Sequence, residues 1–267
     1  MSAILLDGKT EATRIRAELK EEILKHGLKP GLAVILVGED PASHLYVSLK
    51  EKAANEAGIV VYRFDYSADI DEATIAAKIH DLNSDNRVNG ILVQLPLPDR
   101  LNPNAIIDEI DPAKDVDGFH PKNATGLLSP GIAGPLALMD KTGVELVGKH
   151  AVVVGNSAVF AQSFCDALRV RHIHAEPTYP NNLALIKEAD ILVVAVGRPG
   201  FIKPDMVKAG AIVIDIGTNK VDGKTVGDVS PEVTAVASFM TPVPGGVGPL
   251  TVAMLLKNVV ELYKQQN

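Results

Sequence analysis

The chain has 267 residues, of which 46% are hydrophobic and 22% charged, and its formal net charge is -7. This composition argues against a disordered chain, and the length suits one large α/β domain or two domains of ordinary size, of which we favour two. Because the acidic residues are spread along the chain, the charge argues against nucleic acid and anionic membranes as partners. We therefore expect small-molecule partners.

The single cysteine, Cys165, excludes an intramolecular disulfide and a cysteine-based zinc site. The segment before Asp7 is too short for the apolar core of a secretory signal. No apolar run approaches the ~20 residues that a membrane-spanning helix requires. We therefore expect a cytoplasmic protein.

Helical and strand patterns alternate along the first part of the chain. An amphipathic helical pattern stops at Gly27, and the continuous apolar run after Gly31 is typical of a strand buried on both faces. The alternation predicts βαβ units, and therefore an α/β fold. The predicted elements are a helix over 10–25, a strand over 32–37, a helix over 41–57, a strand over 59–64, a helix over 71–83 and a strand over 90–94.

The segment 95–135 is rich in Pro, Gly, Asn and Asp, with one short helical stretch over 104–110, and we expect it to connect two domains and to carry site residues. A second alternation follows, which is typical of a nucleotide-binding half-fold with fewer strands than the full doubly wound sheet. Its predicted elements are a strand over 151–154, a helix to about 169, a short strand at 173, a helix near 183–188, and strands over 191–196 and 211–216. The last helix, over 250–265, is amphipathic, and we expect it to pack back on the first domain.

Three polar positions in the first half of the chain are candidates for a site. Tyr46 and Lys50 are four residues apart on a predicted helix, so they share a face, although such a pair is more often solvated than catalytic. Gln94 ends a buried strand, where α/β proteins bind ligands, but it could equally be a solvated strand end. Asp117 lies in an Asp-X-Asp-Gly loop that could be an Asx-turn, and the remaining ligands of a calcium loop are missing.

Taken together, these residues resemble the bifunctional methylenetetrahydrofolate dehydrogenase/methenyltetrahydrofolate cyclohydrolase family. The resemblance covers most of the chain, and its most specific single signal is the nonapeptide at 241–249. By its residues alone this nonapeptide is a tight loop ahead of a helix, whose N-terminus is available to an anion. The other matching segments are 7–9, 37–43, 46–50, 90–98, 114–120, 210–215 and 226–229.

The resemblance implies an N-terminal βαβ catalytic domain over 1–120, on which the C-terminal helix within 250–267 packs back. It also implies a Rossmann-like nucleotide domain over 121–249, with the active-site cleft between the two domains. The family oxidises 5,10-methylenetetrahydrofolate by hydride transfer to a nicotinamide and hydrolyses the methenyl product to 10-formyltetrahydrofolate.

The resemblance also assigns roles to the candidate residues. It implies that Lys50 is the principal catalytic residue, that Gln94 orients it and that Tyr46 packs on the folate. Asp117 would bind the donor face of the pterin, where a carboxylate matches paired N–H groups. The far wall of the pocket would be formed by Pro242, Gly246 and Val247.

The dinucleotide side departs from the family pattern. The resemblance places NADP or NAD at Gly155, Asn156 and Ser157, with Gly197 and Thr218 also compatible with a nucleotide cleft. Ala161 stands where backbone commonly approaches the cofactor, and Asn156 supplies no positive charge to a 2′-phosphate. The family's Pro-Cys-Thr-Pro segment is absent, and 129–132 lies in a shorter region.

Glu176 lies 21 residues after Gly155, near the spacing at which an acidic residue accepts from the ribose of NAD; a solvated glutamate is the equal alternative. His172 and His174 alternate on a predicted strand, but a third metal ligand is missing, so we expect no metal site.

Three functions remain open at this point. The first is the bifunctional enzyme, the second a monofunctional cyclohydrolase with a degenerate nucleotide site, and the third a folate-binding regulatory subunit without catalysis. The joint presence of Lys50 with Tyr46, Gln94 and Asp117 argues against the folate-binding subunit, since a protein that only binds folate has no need of the lysine. The family resemblance also implies a homodimer.

Overall fold

The structure is a computed structural model, and it describes residues 2–120, 122, 125–180, 182 and 184–267. The chain divides into two compact units. Residues 1–12 and 131–251 form one, called here the six-stranded unit. Residues 13–130 and 252–267 form the other, called the three-stranded unit.

Strands and helices alternate in both units, so the predicted α/β fold is confirmed. The strands are β1 (Ile4–Leu5), β2 (Gly31–Val37), β3 (Val60–Tyr66), β4 (Gly90–Val93), β5 (His150–Gly155), β6 (His174–Thr178), β7 (Ile191–Ala195), β8 (Ile212–Asp215), β9 (Asn219–Val221), β10 (Lys224–Val226) and β11 (Phe239–Met240). The α-helices are α1 (Gly8–His26), α2 (Pro41–Ala57), α3 (Glu72–Ser84), α4 (Pro103–Asp108), α5 (Pro130–Asp140), α6 (Ala158–Val170) and α7 (Val247–Gln266).

The three-stranded unit is built on a parallel sheet with the order β3-β2-β4. Its central strand β2 is buried along its whole length, which explains why the sequence there is apolar without alternation. Side chains from α3 and α4, among them Ile75, Ile79 and Ile106, join the core of this sheet. The carboxyl ends of β2 and β4 lie side by side, because Ile35 pairs with Val93.

Local signals determine both ends of α2. Asp40 caps its N-terminus by accepting from the Ser43 amide at 2.9 Å, and Pro41 follows at the first helical position. Gly58 ends it with φ 91, in the left-handed region that favours glycine. The predicted helix over 41–57 is therefore confirmed. Asp71, which we predicted to lie inside the next helix, is instead the cap of α3.

The last turns of α7 belong to the three-stranded unit. The Asn258 side chain donates to the carbonyls of Val116 and Leu128 at 2.9 and 3.0 Å. Near the C-terminus, Gln266 donates to the carbonyls of Asn89 and Ala113 at 3.0 and 2.8 Å. Through these hydrogen bonds, the C-terminal turns of α7 hold the backbone around residues 113–116 in place.

The six-stranded unit has a wholly parallel main sheet with the order β1-β11-β8-β7-β5-β6, beside the β9–β10 hairpin. Strand β1 was not predicted, because two residues show no periodicity. It pairs with β11, so the first residues of the chain join this sheet, whereas the sequence analysis assigned 1–120 to a single domain.

Three further elements differ from the sequence expectations. Helix α5 begins inside the predicted connecting segment and ends beyond it, and Pro135 and the neighbouring glycines conceal its pattern. The strand expected at Ile173 begins one residue later, at His174. The expected helix near 183–188 is a 3-10 turn over Leu185–Glu188, and the start expected at residue 183 lies outside the described residues.

Within the described part of the chain, no helix has the length and apolarity needed to cross a membrane.

Candidate active site

A lysine–glutamine pair lies at the carboxyl end of β4 in the three-stranded unit. Lys50, on α2, donates from Nζ to Oε1 of Gln94 at 2.9 Å. Gln94 directly follows β4 and is buried, and its Nε2 donates to the Leu95 carbonyl at 2.5 Å. Because Nε2 is held by this backbone carbonyl, the amide is oriented with its oxygen toward the lysine.

Asp117 is presented by a turn that a second aspartate organises. The buried carboxylate of Asp115 accepts from the amides of Asp117 and Gly118, both at 3.1 Å, and of His120 at 2.7 Å. This is the Asx-turn alternative of the sequence analysis. Asp115 therefore determines the path of the loop, and the hydrogen bonds of the turn are made by the carboxylate of Asp115 and not by that of Asp117.

Lys50 and Asp117 influence each other's protonation. Burial lowers the pKa of Lys50, and the charge of Asp117 partly opposes this shift. Burial raises the pKa of Asp117 to about 6, against the attraction of Lys50 and together with repulsion from Asp115. Near neutral pH, Asp117 is therefore largely ionised, and Lys50 releases its proton more readily than a solvated lysine.

Tyr46 lies one helical turn before Lys50 on α2, and 43% of its surface is exposed. An aromatic ring with this exposure is accessible to a ligand that approaches the lysine. The structure thus brings Lys50, Gln94 and Asp117 together and places Tyr46 on the same helix as the lysine. These four residues are called the lysine cluster below.

A second candidate region lies at the carboxyl ends of three adjacent strands in the six-stranded unit. Gly155 ends β5, and Ser157 caps α6 by accepting from the Phe160 amide at 3.3 Å. Gly197 follows β7 and Thr218 follows β8, and both are exposed. Since β8, β7 and β5 are neighbours in a parallel sheet, these loops share one edge, where α/β proteins bind ligands.

This edge, called the nucleotide edge below, fits a dinucleotide. The N-terminus of α6 offers backbone amides and a positive dipole end to a pyrophosphate. Gly197 has φ 65 and no side chain to obstruct a ligand. Asn156, between β5 and α6, is exposed and donates from Nδ2 to the Val196 carbonyl, so the first loop is bonded to the second.

The structure places Glu176 away from this edge and corrects the sequence expectation. Glu176 lies within β6 opposite Val152, whereas Thr178 is the residue at the carboxyl end, opposite Val154. Its carboxylate bonds to Nε2 of His150, the first residue of β5, at 2.6 Å. Counting residues from the glycine misplaced Glu176, because β6 starts only at His174 and continues two residues beyond the glutamate.

The expected placement of His172 and His174 on one strand was also wrong. His172 has φ 58 and belongs to the turn before β6, so it does not alternate with His174 on a strand. Across the described residues, no group of three histidine, cysteine or acidic side chains is arranged to hold a metal ion.

The three residues expected at the far wall of the folate pocket lie in the six-stranded unit. Pro242 is partly exposed, and Gly246 and Val247 are buried. A Cβ atom at Gly246 would lie 2.5 Å from the Pro242 carbonyl oxygen and 2.9 Å from Cβ of Thr241. Only glycine fits this turn, so the nonapeptide is closely packed upon itself.

Sequence reasoning missed the buried acids that support both regions. It gave no role to Asp115, and none to Asp215 or Asp228, which are 1% and 0% exposed. The available signal was only that each of these aspartates lies in a segment that matched the family pattern, at residues 114–120, 210–215 and 226–229. Its meaning depends on tertiary contacts that spacing does not reveal.

The fold and the two regions define the class of protein: an α/β enzyme with the lysine cluster in one unit and, in the other, a sheet edge that fits a dinucleotide. Family models match both halves: the catalytic domain of tetrahydrofolate dehydrogenase/cyclohydrolase over 6–117, and the NAD(P)-binding domain of the same enzymes over 130–267. The chain belongs to the tetrahydrofolate dehydrogenase/cyclohydrolase family. It is accordingly a dehydrogenase and cyclohydrolase of tetrahydrofolate derivatives that uses NAD(P).

Individual relatives agree with this assignment over their whole length. The bifunctional protein FolD of Halothermothrix orenii is 48% identical over 278 residues, which cover 97% of this chain and 98% of that protein. The crystal structure of FolD from Campylobacter jejuni covers 100% of both chains with a TM-score of 0.95 and 39% identity. The FolD structure from Trypanosoma brucei, complexed with NADP and an inhibitor, has a TM-score of 0.92 and 32% identity, and covers 99% of this chain and 98% of that one.

Proposed function

We propose that the chain oxidises 5,10-methylenetetrahydrofolate to the 5,10-methenyl cation and hydrolyses that cation to 10-formyltetrahydrofolate, with the lysine cluster as the folate site. The observation that carries this proposal is the 2.9 Å bond between Nζ of Lys50 and Oε1 of Gln94, beside the carboxyl group of Asp117. A lysine with a lowered pKa and a fixed direction is suited to general-base chemistry.

In the hydrolytic step, Lys50 accepts a proton from the water that attacks the methenyl carbon. The new C–O bond forms as one C–N bond loses its double-bond character, which gives a neutral hydroxyl adduct. The adduct then breaks its bond to N5, and N5 takes up the hydroxyl proton, which leaves the formyl group on N10. The cationic substrate lowers the proton affinity of Lys50 further, because like charges repel, so the base is generated when its substrate binds.

The other cluster residues hold the folate. Ionised Asp117 accepts from paired N–H groups of the pterin, for which a carboxylate is the best acceptor. Tyr46 packs its ring on the folate, and Gln94 keeps Nζ of Lys50 directed at the water. In the six-stranded unit, Pro242, Gly246 and Val247 are proposed folate contacts as well.

For the oxidative step, the nicotinamide supplies the hydride acceptor. Gly155, Asn156 and Ser157 would hold the pyrophosphate at the start of α6, and Gly197 and Thr218 would flank the rest of the dinucleotide. Since Glu176 does not lie at the nucleotide edge, it provides no argument for NAD over NADP. The nucleotide preference is therefore to be measured with both.

The first experiment compares two lysines on the same helix. In Lys50→Met, we expect methenyltetrahydrofolate hydrolysis to fall by about a hundredfold or more, which is the contribution of a general base. Lys52→Met is the matched control, since the Lys52 side chain is 75% exposed. Folding is checked by circular dichroism. Hydrolysis at the wild-type rate in a folded Lys50→Met protein would contradict the assignment.

A second assay tests the oxidative half. Purified wild-type protein is given methylenetetrahydrofolate with NAD or with NADP, and reduction of each nucleotide is followed by absorbance. We expect turnover with at least one of them. Hydrolysis without reduction of either nucleotide would reduce the function to a cyclohydrolase.

We also propose that the protein is a homodimer that works in the cytoplasm. Strand β6 is at the edge of the main sheet, bonded to β5 on one side, and its Pro177 is of the kind tolerated at an edge. A second copy could extend the sheet there with two-fold symmetry. Light scattering should give twice the chain mass, and His174→Pro should shift it toward the monomer.

The free, buried thiol of Cys165 suits a reducing compartment.

A further inference from the structure

Two buried aspartates lie beneath the nucleotide edge, and the chemistry described above uses neither. Asp215 ends β8, and Asp228 follows the β9–β10 hairpin. Two glycines make room for them. A Cβ atom at Gly217 would lie 2.2 Å from Cγ of Asp228, and one at Gly227 would lie 1.9 Å from Oδ2 of Asp215. Glycine is therefore required at both positions by the carboxylates.

The carboxylate of Asp228 accepts from four N–H donors, three in the loop that follows β7 and one on the first residue of β9. Its Oδ2 accepts from the amides of Val196 and Gly197 at 2.6 and 2.9 Å. Its Oδ1 accepts from the Arg198 amide and from Nδ2 of Asn219, both at 2.8 Å. Hydrogen bonds to an ionised acceptor are about twice as strong as neutral ones, so this one side chain determines the backbone path of the 196–198 loop.

The same 196–198 loop is hydrogen-bonded to Asn156, which lies at the start of the proposed phosphate-binding turn. Val196 donates its amide to Asp228, and its carbonyl accepts from Nδ2 of Asn156. The Asn156 amide also donates to the Ala195 carbonyl at 3.3 Å. A shift of the Val196 peptide would therefore move both Gly197 and the side chain of Asn156, which are two of the proposed dinucleotide contacts.

Asp215 supports Asp228 from below. It accepts from the amides of Asp228 and Val229 at 3.1 and 2.9 Å, and from the Gly217 amide at 2.9 Å. Its own amide donates to Oγ1 of Thr241 at 2.7 Å. The backbone at Asp228 is therefore bonded to the end of β8, which fixes the position of the Asp228 carboxylate.

We propose that Asp228 is a positioning residue for the dinucleotide, with Asp215 as its support. It acts through Val196 on Gly197 and Asn156 and does not touch the cofactor itself. The inference rests on the oxidative half of the proposed function and adds a residue that controls it from beneath the binding surface. It separates the two activities of the chain, because the lysine cluster receives no bond from Asp228.

The test is Asp228→Asn, assayed for both activities. An amide oxygen can replace only one of the two carboxylate oxygens, and its NH2 group would face backbone N–H donors. We expect the KM for the nucleotide, and its dissociation constant by fluorescence of the reduced form, to rise about tenfold or more, as for a lost charged hydrogen bond. Methenyltetrahydrofolate hydrolysis and its KM should stay within about twofold, since the lysine cluster shares no partner with Asp228.

Two further variants keep the test decisive. Asp222→Asn makes the same chemical change in the exposed β9–β10 turn, where asparagine tolerates the φ of 50, and should leave both activities unchanged. Asn219→Ala removes one of the four donors to Asp228 and should raise the nucleotide KM by a smaller factor; it is the measurement to use where Asp228→Asn does not fold.

An unchanged nucleotide KM in folded Asp228→Asn, or in Asn219→Ala where the first does not fold, would overturn the inference. So would a loss of hydrolysis in proportion to the loss of oxidation, since that indicates a general structural role. Absence of nucleotide reduction by the wild-type protein would instead remove the oxidative function itself, so the two failures are distinguishable.

Discussion

The lysine cluster and the nucleotide edge are built on opposite principles. In the three-stranded unit, the proposed reactive groups are side chains whose pKa values are shifted by burial and by each other's charge, and a backbone carbonyl orients Gln94. In the six-stranded unit, the proposed binding groups are mostly backbone and small residues, and buried carboxylates hold their shape. A change of one atom in a side chain should therefore act directly on ligand binding or catalysis in the first region, whereas in the second it should displace a loop.

Among the changes in ligand binding, the largest effect is expected at Asp117. Asp117→Asn removes a charged acceptor for the pterin, and the folate dissociation constant should rise by about ten- to a hundredfold. The nucleotide dissociation constant should stay the same, because no nucleotide contact is changed. Asp99→Asn, at an exposed position of the same unit, is the control. Equal weakening of both ligands would show that the two regions are not independent.

A change of shape at the nucleotide edge should act on stability first. Gly217→Ala forces a methyl group against the Asp228 carboxylate, and the free energy of unfolding should fall by about 1–3 kcal/mol, the usual cost of overpacking. Gly248→Ala, where the added atom meets nothing within 4 Å, should be nearly neutral. Urea titration compares the two. An equal midpoint for both variants would mean that the pocket around Asp228 can expand.

The pH dependence of folate binding should separate the regions further. The pKa of Asp117 is raised from 3.8 to about 6, so its carboxylate is ionised above that pH and is lost as pH falls through it. Folate affinity should thus decrease by up to about tenfold for each pH unit below about 6, as expected for one proton. The decrease should be absent in Asp117→Asn. A similar dependence in that variant would assign the proton to another group.

The smallest effect is expected at Glu176. Since this residue is bonded to His150 and not placed at the nucleotide edge, Glu176→Gln should change the ratio of the KM values for NAD and NADP by less than about twofold. Parallel assays with the two nucleotides measure this ratio. A marked shift toward NADP would restore Glu176 as a ribose ligand.

Much of the fold was predictable, because its signals are local. Asp40, Pro41 and Gly58 mark the ends of α2 in the sequence itself, and the unbroken apolar run of β2 reflects burial on both faces. The elements that escaped prediction lack such signals. Strand β1 has two residues, and α5 contains Pro135, so tertiary pairing and packing define them.

The candidate site was predictable where family pattern and chemistry coincide. Lys50, Gln94 and Asp117 were individually weak candidates, and their ordered occurrence in the family pattern selected them before the structure placed them together. Glu176 was misplaced because residue spacing does not specify strand register. Asp228 was missed because three of its four donors belong to the 196–198 loop, which lies 30 to 32 residues before it in the sequence.

The support that Asp228 gives to the nucleotide edge also bears on how this sequence could diverge. The 196–198 loop obtains its shape from a carboxylate that lies beneath it, and not from the identity of its surface residues. Surface positions around Asn156 are therefore free to change while the backbone path is conserved, as loops on a rigid scaffold allow. The departures at Asn156 and Ala161 lie in the turn and helix next to this supported loop. Mutational tolerance at the nucleotide edge would thus depend on the two buried acids and on the two glycines packed against them.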